Sequence, residues 1–153
     1  MSNLLTEGRK ALIKRLSSIL VENNYATQAG ANVRTGWFNE QLEARNVAFP
    51  LIVVQKGKGL QPVAGPHAIK VIPGFNVVGA VDAGLDGYED SIEELEQDLL
   101  RCLMPMMAVL PDWLPRGITG ISVGAPETFP PAKGTKAAAV VIPVYLTTII
   151  QDR

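Results

Sequence analysis

The sequence predicts an α+β fold, a single domain in which a mixed, mostly antiparallel sheet carries two helices on one face. Its 153 residues suffice for one hydrophobic core, and 47% of them are hydrophobic against 19% charged, as in globular proteins. Two segments have helical periodicity and several have strand character. Fourteen glycines and eleven prolines indicate many turns and argue against a helical bundle. The expected element order is α-β-β-β-α-β-β.

The first helix is expected from Thr6 to Glu22, because apolar residues recur there at helical spacing. Four basic residues lie outside the apolar stripe: Arg9, Lys10, Lys14 and Arg15. Tyr25 to Asn46 lacks sustained periodicity, so it is interpreted as a long connection with a short strand near Val33 to Phe38. Structureless segments of that length are uncommon and usually functional.

A buried strand is predicted at Leu51 to Gln55, which is apolar and β-branched. The Lys56-Gly57-Lys58-Gly59 cluster after it is interpreted as a solvated turn, since it does not fit a phosphate-binding loop. A second extended region covers Ala68 to Ala83. Proline removes a donor of the strand ladder, so Pro73-Gly74 should form a bulge or the meeting of two strands.

The second helix is predicted from a capping box, Ser91 with Glu94, and it should end near Pro105. Strands are then expected at Ile118 to Val123 and at Ala137 to Ile150. The proline-rich segment between them, Gly124 to Lys136, is typical of a projecting hairpin loop. Both faces of the last strand are apolar, so the face without helices needs another layer or another subunit.

Composition disfavours several classes of function. The formal net charge of −1 does not favour nucleic-acid binding, and no apolar run is long enough to span a bilayer. One cysteine, Cys102, and one histidine, His67, cannot make a disulfide or a zinc site, so we expect a buried thiol, a rim histidine and no cofactor. The N-terminus has no signal-peptide pattern, which leads us to expect an untargeted intracellular product.

A partial calcium-loop pattern begins at Asp82, with Asp86 and Glu93 at the fifth and twelfth positions. Gly84 stands at the third position, where such loops have a ligand, and the preceding segment has strand character. The favoured interpretation is therefore a glycine-rich turn that leads into a helix, with no metal bound.

Charge is unevenly distributed along the chain. Residues 1–60 contain eight basic and four acidic residues, whereas residues 82–98 contain eight of the fifteen acids. One hypothesis is a subunit interface in which a basic surface of one copy meets an acidic surface of the next. Its candidate residues are Arg9, Lys10, Lys14, Arg15, Glu89, Glu93 and Glu94. The alternative is that these are merely solvated helix faces.

A partner-docking surface is predicted on the two segments Thr35 to Asn46 and Gly124 to Lys136. Large aromatics on loops need to be buried against something. The candidate residues are Trp37, Phe38, Phe129, Lys133 and Lys136. The alternative is that the aromatics fold back on their own subunit over the sheet edge.

The sequence of elements resembles the tail terminator (tail completion) proteins of long-tailed bacteriophages. The resemblance lies in the basic first helix, the Pro-Leu-Ile-Val-Val strand, the acidic second helix and two strand ends. Those ends are Val77-Val78-Gly79-Ala80-Val81-Asp82 and Val144-Tyr145-Leu146-Thr147-Thr148.

The resemblance implies a structural virion protein and not an enzyme. Six copies would form a ring at the tail–neck junction, assembled in the host cytoplasm, which caps the tail tube, ends polymerisation of the major tail tube protein and docks to the head connector. Alternatives are another phage neck or head-to-tail joining protein, a small ligand-binding module, or a small enzyme using Asp82, Asp86 and Lys70.

Overall fold

The computed structural model, which describes residues 3–43, 48–84, 87–106, 109–131 and 136–152, has an α+β architecture and confirms the predicted fold class. Its helices are α1 (Leu4–Leu16), α2 (Phe38–Glu43) and α3 (Tyr88–Leu103). Its strands are β1 (Val33–Thr35), β2 (Leu51–Gly65), β3 (Ala68–Asp82), β4 (Ile118–Val123), β5 (Glu127–Phe129) and β6 (Ala137–Gln151). Within the described ranges, the helices fall short of the length and apolarity that a membrane span requires.

All six strands belong to one sheet with the order β1-β2-β3-β6-β4, and β5 also pairs with β6. Four of the pairings are antiparallel, and only the short β1 runs parallel to its neighbour β2. The prediction of a mixed, mostly antiparallel sheet is therefore confirmed. The long central strands β2, β3 and β6 form its body.

One face of the sheet, the helix face, is covered by α1 and α3, as predicted. Leu12 and Leu16 of α1 and Leu95 and Leu99 of α3 are fully buried against it. The helix approaches the sheet closely where β3 has Gly79: a Cβ there would lie 2.9 Å from Leu95 Cδ2. A side chain at this position would push α3 away from the sheet.

The opposite face, the second face, has a smaller core of its own. Alternate residues of the central strands point to it, among them Leu51, Val53 and Val78. Phe38 and Leu42 of α2 pack against this cluster. The helix α2 was not predicted from the sequence. It covers part of the second face, and the rest of that face is open.

Beyond the helices, β2 and β3 continue as a hairpin that we call the distal ribbon (residues 57–71). The prediction of a turn at residues 56–59 was wrong, because this segment is part of β2. β3 runs unbroken through Pro73-Gly74, and the irregular register lies opposite, between Gly57 and Val63 of β2. A Cβ at Gly59 would overlap the carbonyl oxygen of Ile72, so glycine is required for this close approach.

Both main helices begin earlier than predicted. The side chain of Asn3 caps α1 by accepting the backbone N–H of Thr6 at 2.8 Å, and the helix ends at Leu16. α3 begins after Gly87, which has φ = 79° and supplies no side-chain cap. The capping box at Ser91 was therefore wrong, because Ser91 lies inside the helix.

Two further differences change the element order. α2 follows β1 in the segment interpreted as a long connection, and β5 forms within the segment expected to be a projecting loop. The regular elements therefore run α-β-α-β-β-α-β-β-β instead of α-β-β-β-α-β-β. Both additions are short and pack on the second face or at the β6 edge.

Candidate functional site

The open part of the second face contains a groove of about 560 Å³, which we call the second-face groove. Apolar side chains supply much of its lining: Trp37, Phe38, Val78, Phe129, Ala139, Val141 and Pro143. Polar groups interrupt it: Asn39, Gln55, Asn76 and Glu127. The groove is lined by aromatic residues from both segments on which the sequence predicts a partner-docking surface.

The first wall of the groove is held by local hydrogen bonds around α2. Gly36 turns the chain after β1 with φ = 112°, a conformation that favours glycine. The backbone N–H of Phe38 then donates to Gln55 Oε1 at 3.0 Å, and the N–H of Gln41 donates to the Trp37 carbonyl at 3.1 Å. These bonds tie α2 to β2 and set Trp37 beside the sheet.

The opposite wall is β5, which pairs with the first half of β6. Phe129 stands opposite Ala139 in the register, and Thr128 stands opposite Val140. Ala139 is small, so it leaves room above the strand between the two walls. Phe129 keeps 44% of its surface exposed and Trp37 keeps 57%. The two rings are thus only partly buried within this chain, which differs from the alternative that they form closed lids.

The groove offers apolar contact and amide hydrogen bonding, and Glu127 is its acidic lining residue. Asn39, Gln55 and Asn76 supply both donors and acceptors. Such a surface fits a partner that inserts an apolar protrusion and forms polar contacts at its margin. Exposed aromatic side chains of this kind contribute most to the free energy of binding when a partner covers them.

The calcium-loop residues do not form a complete ligand set in the described part of the chain. Asp82 ends β3, and its Oδ1 accepts the backbone N–H of Gly84 at 2.9 Å. Glu93 is exposed on α3, and Asp86 lies outside the described residues. Among the residues that the structure describes, no three His, Cys, Asp or Glu side chains are grouped as a metal site would need.

The lysines assigned to partner docking lie near the start of β6. Lys136 is exposed immediately before the strand, whereas Lys133 lies outside the described residues. Lys136 does not belong to the groove lining. Their docking role stays a prediction.

The predicted basic interface residues divide into two groups. Lys10 and Lys14 of α1 are exposed, and Arg9 is half-buried. Arg15 is instead engaged within the chain, where its Nε donates to the Cys102 carbonyl at 3.0 Å and its guanidinium lies 5.9 Å from the Trp113 ring centroid.

The acidic residues of the predicted interface segment also fall into two groups. Glu89, Glu93 and Glu94 are exposed on α3. Asp98, counted with this acidic segment in the sequence analysis, is buried. Its Oδ1 accepts the N–H of Ala26 at 3.0 Å, and its Oδ2 accepts the N–H and the hydroxyl of Thr27, each at 2.7 Å. Asp98 therefore anchors the loop after α1 and does not belong to an acidic surface.

Cys102 and His67 occupy the positions expected for a core thiol and a rim histidine. Cys102 is buried, its Sγ donates to the Arg15 carbonyl at 3.3 Å, and burial raises the pKa of the thiol. His67 lies in the turn between β2 and β3, with its Nδ1 3.1 Å from Asp152 Oδ2. The two residues lie in different parts of the fold and do not form a dyad.

The sequence analysis missed one exposed surface altogether. On the distal ribbon, Leu60, Val63 and Ile69 are all largely exposed. Glycines, prolines and a glutamine interrupt the alternation of this segment, which hid the extension of β2. No local pattern in this segment signals the extension.

The sequence matches no protein-family model, and it matches no curated protein.

Proposed function

We propose that this chain is a structural virion protein, a tail terminator that forms a ring on the end of a phage tail tube. In this role it ends polymerisation of the major tail tube protein and presents the surface to which the head connector docks. The observation that carries the proposal is the second face of the sheet, which has an apolar core but is covered only in part by α2 and β5.

A sheet that is apolar on both faces needs cover on both faces. α1 and α3 supply it on the helix face. On the second face, Trp37 and Phe129 stay half exposed around the groove, and Leu60 stays exposed on the distal ribbon. Exposed apolar side chains that line a groove are typical of protein contact sites, which supports an assembly protein over an enzyme.

The proposal divides this surface between two contacts. The second-face groove, with its aromatic walls and amide groups, binds the tube protein or the connector. The subunit contacts of the ring lie elsewhere on the sheet and helices. By the resemblance of element order, the ring has six copies and sits at the tail–neck junction after assembly in the host cytoplasm.

The test is to add the purified protein to polymerising major tail tube protein of the same phage and to examine the products by electron microscopy. We expect rings at one tube end and tubes that stop growing. For the groove variant Phe129→Ala, the matched control is Val21→Ala. Val21 is an exposed hydrophobic residue outside the groove lining, so this variant should cap tubes normally.

Two outcomes would contradict the proposal. In one, the protein remains a monomer or a two-fold dimer at high concentration and in the presence of tubes, and tube growth continues. In the other, rings form and bind isolated head connectors but not tubes, which would identify a different neck or head-to-tail joining protein.

A further inference from the structure

We infer that copies of this chain associate head to tail, with the distal ribbon of one copy bound to the acidic end of the next. The acidic end consists of the carboxylates at the end of β3 and on the first half of α3: Asp82, Glu89, Asp90, Glu93 and Glu94. This inference rests on the proposed function and deepens it, since it assigns the contact between subunits of the ring.

The ribbon side of the contact is basic. Residues 48–81 contain the lysines Lys56, Lys58 and Lys70 and no acidic residue, and all three lysines are exposed. None of them is within ion-pair distance of a carboxylate among the described residues. Arg9 of α1 lines the same small crevice as Lys56, which adds a further positive charge at the base of the ribbon.

The ribbon side is also apolar. Leu60 is 55% exposed, and Val63 and Ile69 are exposed to a similar degree. In the register, Leu60 stands opposite Ile72 and Val63 stands opposite Lys70, so Leu60, Val63 and Lys70 share one face of the ribbon. Lys56 and Ile69 point to the other face. β6 also pairs with β3 along residues 68–71, so β2 forms the outer strand of the ribbon. An exposed apolar face of this kind gains stability when another surface covers it.

The acidic end has complementary properties. A pocket of about 540 Å³ lies there, between α3 and the ends of β2 and β3. Its lining combines the apolar Phe49, Pro50 and Val81 with the carboxylates of Asp82 and Glu94. Such a pocket can receive an apolar side chain and place two carboxylates near an incoming lysine.

These two surfaces cannot neutralise each other within one copy. Lys70 and Asp82 are joined by twelve residues of the continuous strand β3, a distance of about 40 Å at ~3.3 Å per residue. Lys56 is level with Phe75, about 23 Å from Asp82 on the same basis. Both distances exceed the Debye length of about 8 Å at physiological salt.

A second copy therefore supplies what each end lacks. Because the two complementary surfaces lie at opposite ends of one strand, the same contact can be repeated from copy to copy. A contact between unlike surfaces is heterologous, and it produces a ring when the rotation between copies closes. The opposite charges also steer the ends together before the apolar groups meet.

The experiment measures association by analytical ultracentrifugation at low salt, in the absence of tail tubes. The ribbon variant is Lys58→Glu with Lys70→Glu, and the acidic-end variant is Glu93→Lys with Glu94→Lys. The α1 control, Lys10→Glu with Lys14→Glu, makes the same charge change on exposed lysines of α1. The sequence had offered these lysines as the basic side of the interface, so the control also discriminates the ribbon from α1. Circular dichroism and melting temperature verify that each variant is folded.

We expect the ribbon variant and the acidic-end variant each to associate at least about tenfold more weakly than the native protein, and the α1 control to associate normally. An equimolar mixture of the two interface variants should recover association, since each variant then supplies the charge that the other needs. Should a variant not fold, the native protein decides, because its association must weaken as salt shortens the Debye length from ~10 Å at 0.1 M to ~3 Å at 1 M.

The inference is overturned if the native protein is monomeric at low salt, if its association is insensitive to salt, or if the α1 control loses association while the ribbon variant keeps it. It is also overturned if the folded variants fail to recover in the mixture. Rings that assemble by this contact but do not bind tubes would contradict the proposed function alone. Capped tubes with interface variants that still associate would contradict this contact alone.

Discussion

The two faces of the sheet are built from the same strands but differ in how the chain covers them. On the helix face, α1 and α3 close a core in which side chains such as Leu99 and Ile142 are fully buried. On the second face, α2 and β5 leave a groove and an exposed ribbon. The difference teaches that stability and assembly depend on different faces, so substitutions on each should have different consequences.

The largest expected effect on stability is on the helix face. Leu99→Ala should lower the free energy of unfolding by about 2–5 kcal/mol, because it removes a fully buried side chain and leaves a cavity. Leu60→Ala on the distal ribbon should cost less than about 1 kcal/mol, since Leu60 is 55% exposed. Urea denaturation measures both. Equal losses would show that the ribbon is part of the folded core.

A second large effect is expected at Asp98, the buried carboxylate of α3. Asp98→Asn should cost about 2–3 kcal/mol, because both oxygens accept hydrogen bonds and an amide group would point its N–H₂ at one of the donors. Gln97→Ala, at the exposed neighbouring position of α3, should change the free energy of unfolding by less than about 0.5 kcal/mol. Thermal and urea unfolding compare the pair. A neutral Asp98→Asn would remove the anchoring role of this residue.

Much of this comparison could be predicted from the sequence. The helical spacing before Leu16 and around Leu95 predicted the two main helices and the apolar stripes that they bury. The apolar residues on both faces of β6 predicted that the second face needs cover. Both are strong patterns because their periodicities persist over many residues.

The remainder depends on tertiary structure. α2 has six residues, too few for a clear helical period, and it is held by contacts such as the bond from Phe38 to Gln55. Trp37 and Phe129 are far apart in the sequence, so their meeting across one groove depends on the pairing of β5 with β6. Asp98 was assigned to an acidic surface because its loop partners cannot be identified from helical position alone.

The smallest expected effect concerns Cys102, in the core of the helix face, at alkaline pH. Burial raises the pKa of the Cys102 thiol, so the folded protein keeps it neutral where an unfolded chain ionises it. Its contribution to stability is fully present below about pH 8.5 and is lost as pH rises through the folded pKa. The free energy of unfolding should therefore fall more steeply as pH rises above about 8.5 than it does in Cys102→Ala. Parallel pH profiles would contradict this.

The central claim is that the second-face groove serves docking and not folding, and Phe129→Ala tests it most directly. Melting temperature and capture of the protein by tail tubes are measured on the same preparation, with Val21→Ala as the control. The account predicts a nearly unchanged melting temperature and loss of capture, because Phe129 is 44% exposed in the free chain and would be covered only by a partner. A large fall in melting temperature with capture retained would contradict it and would make β5 a structural lid.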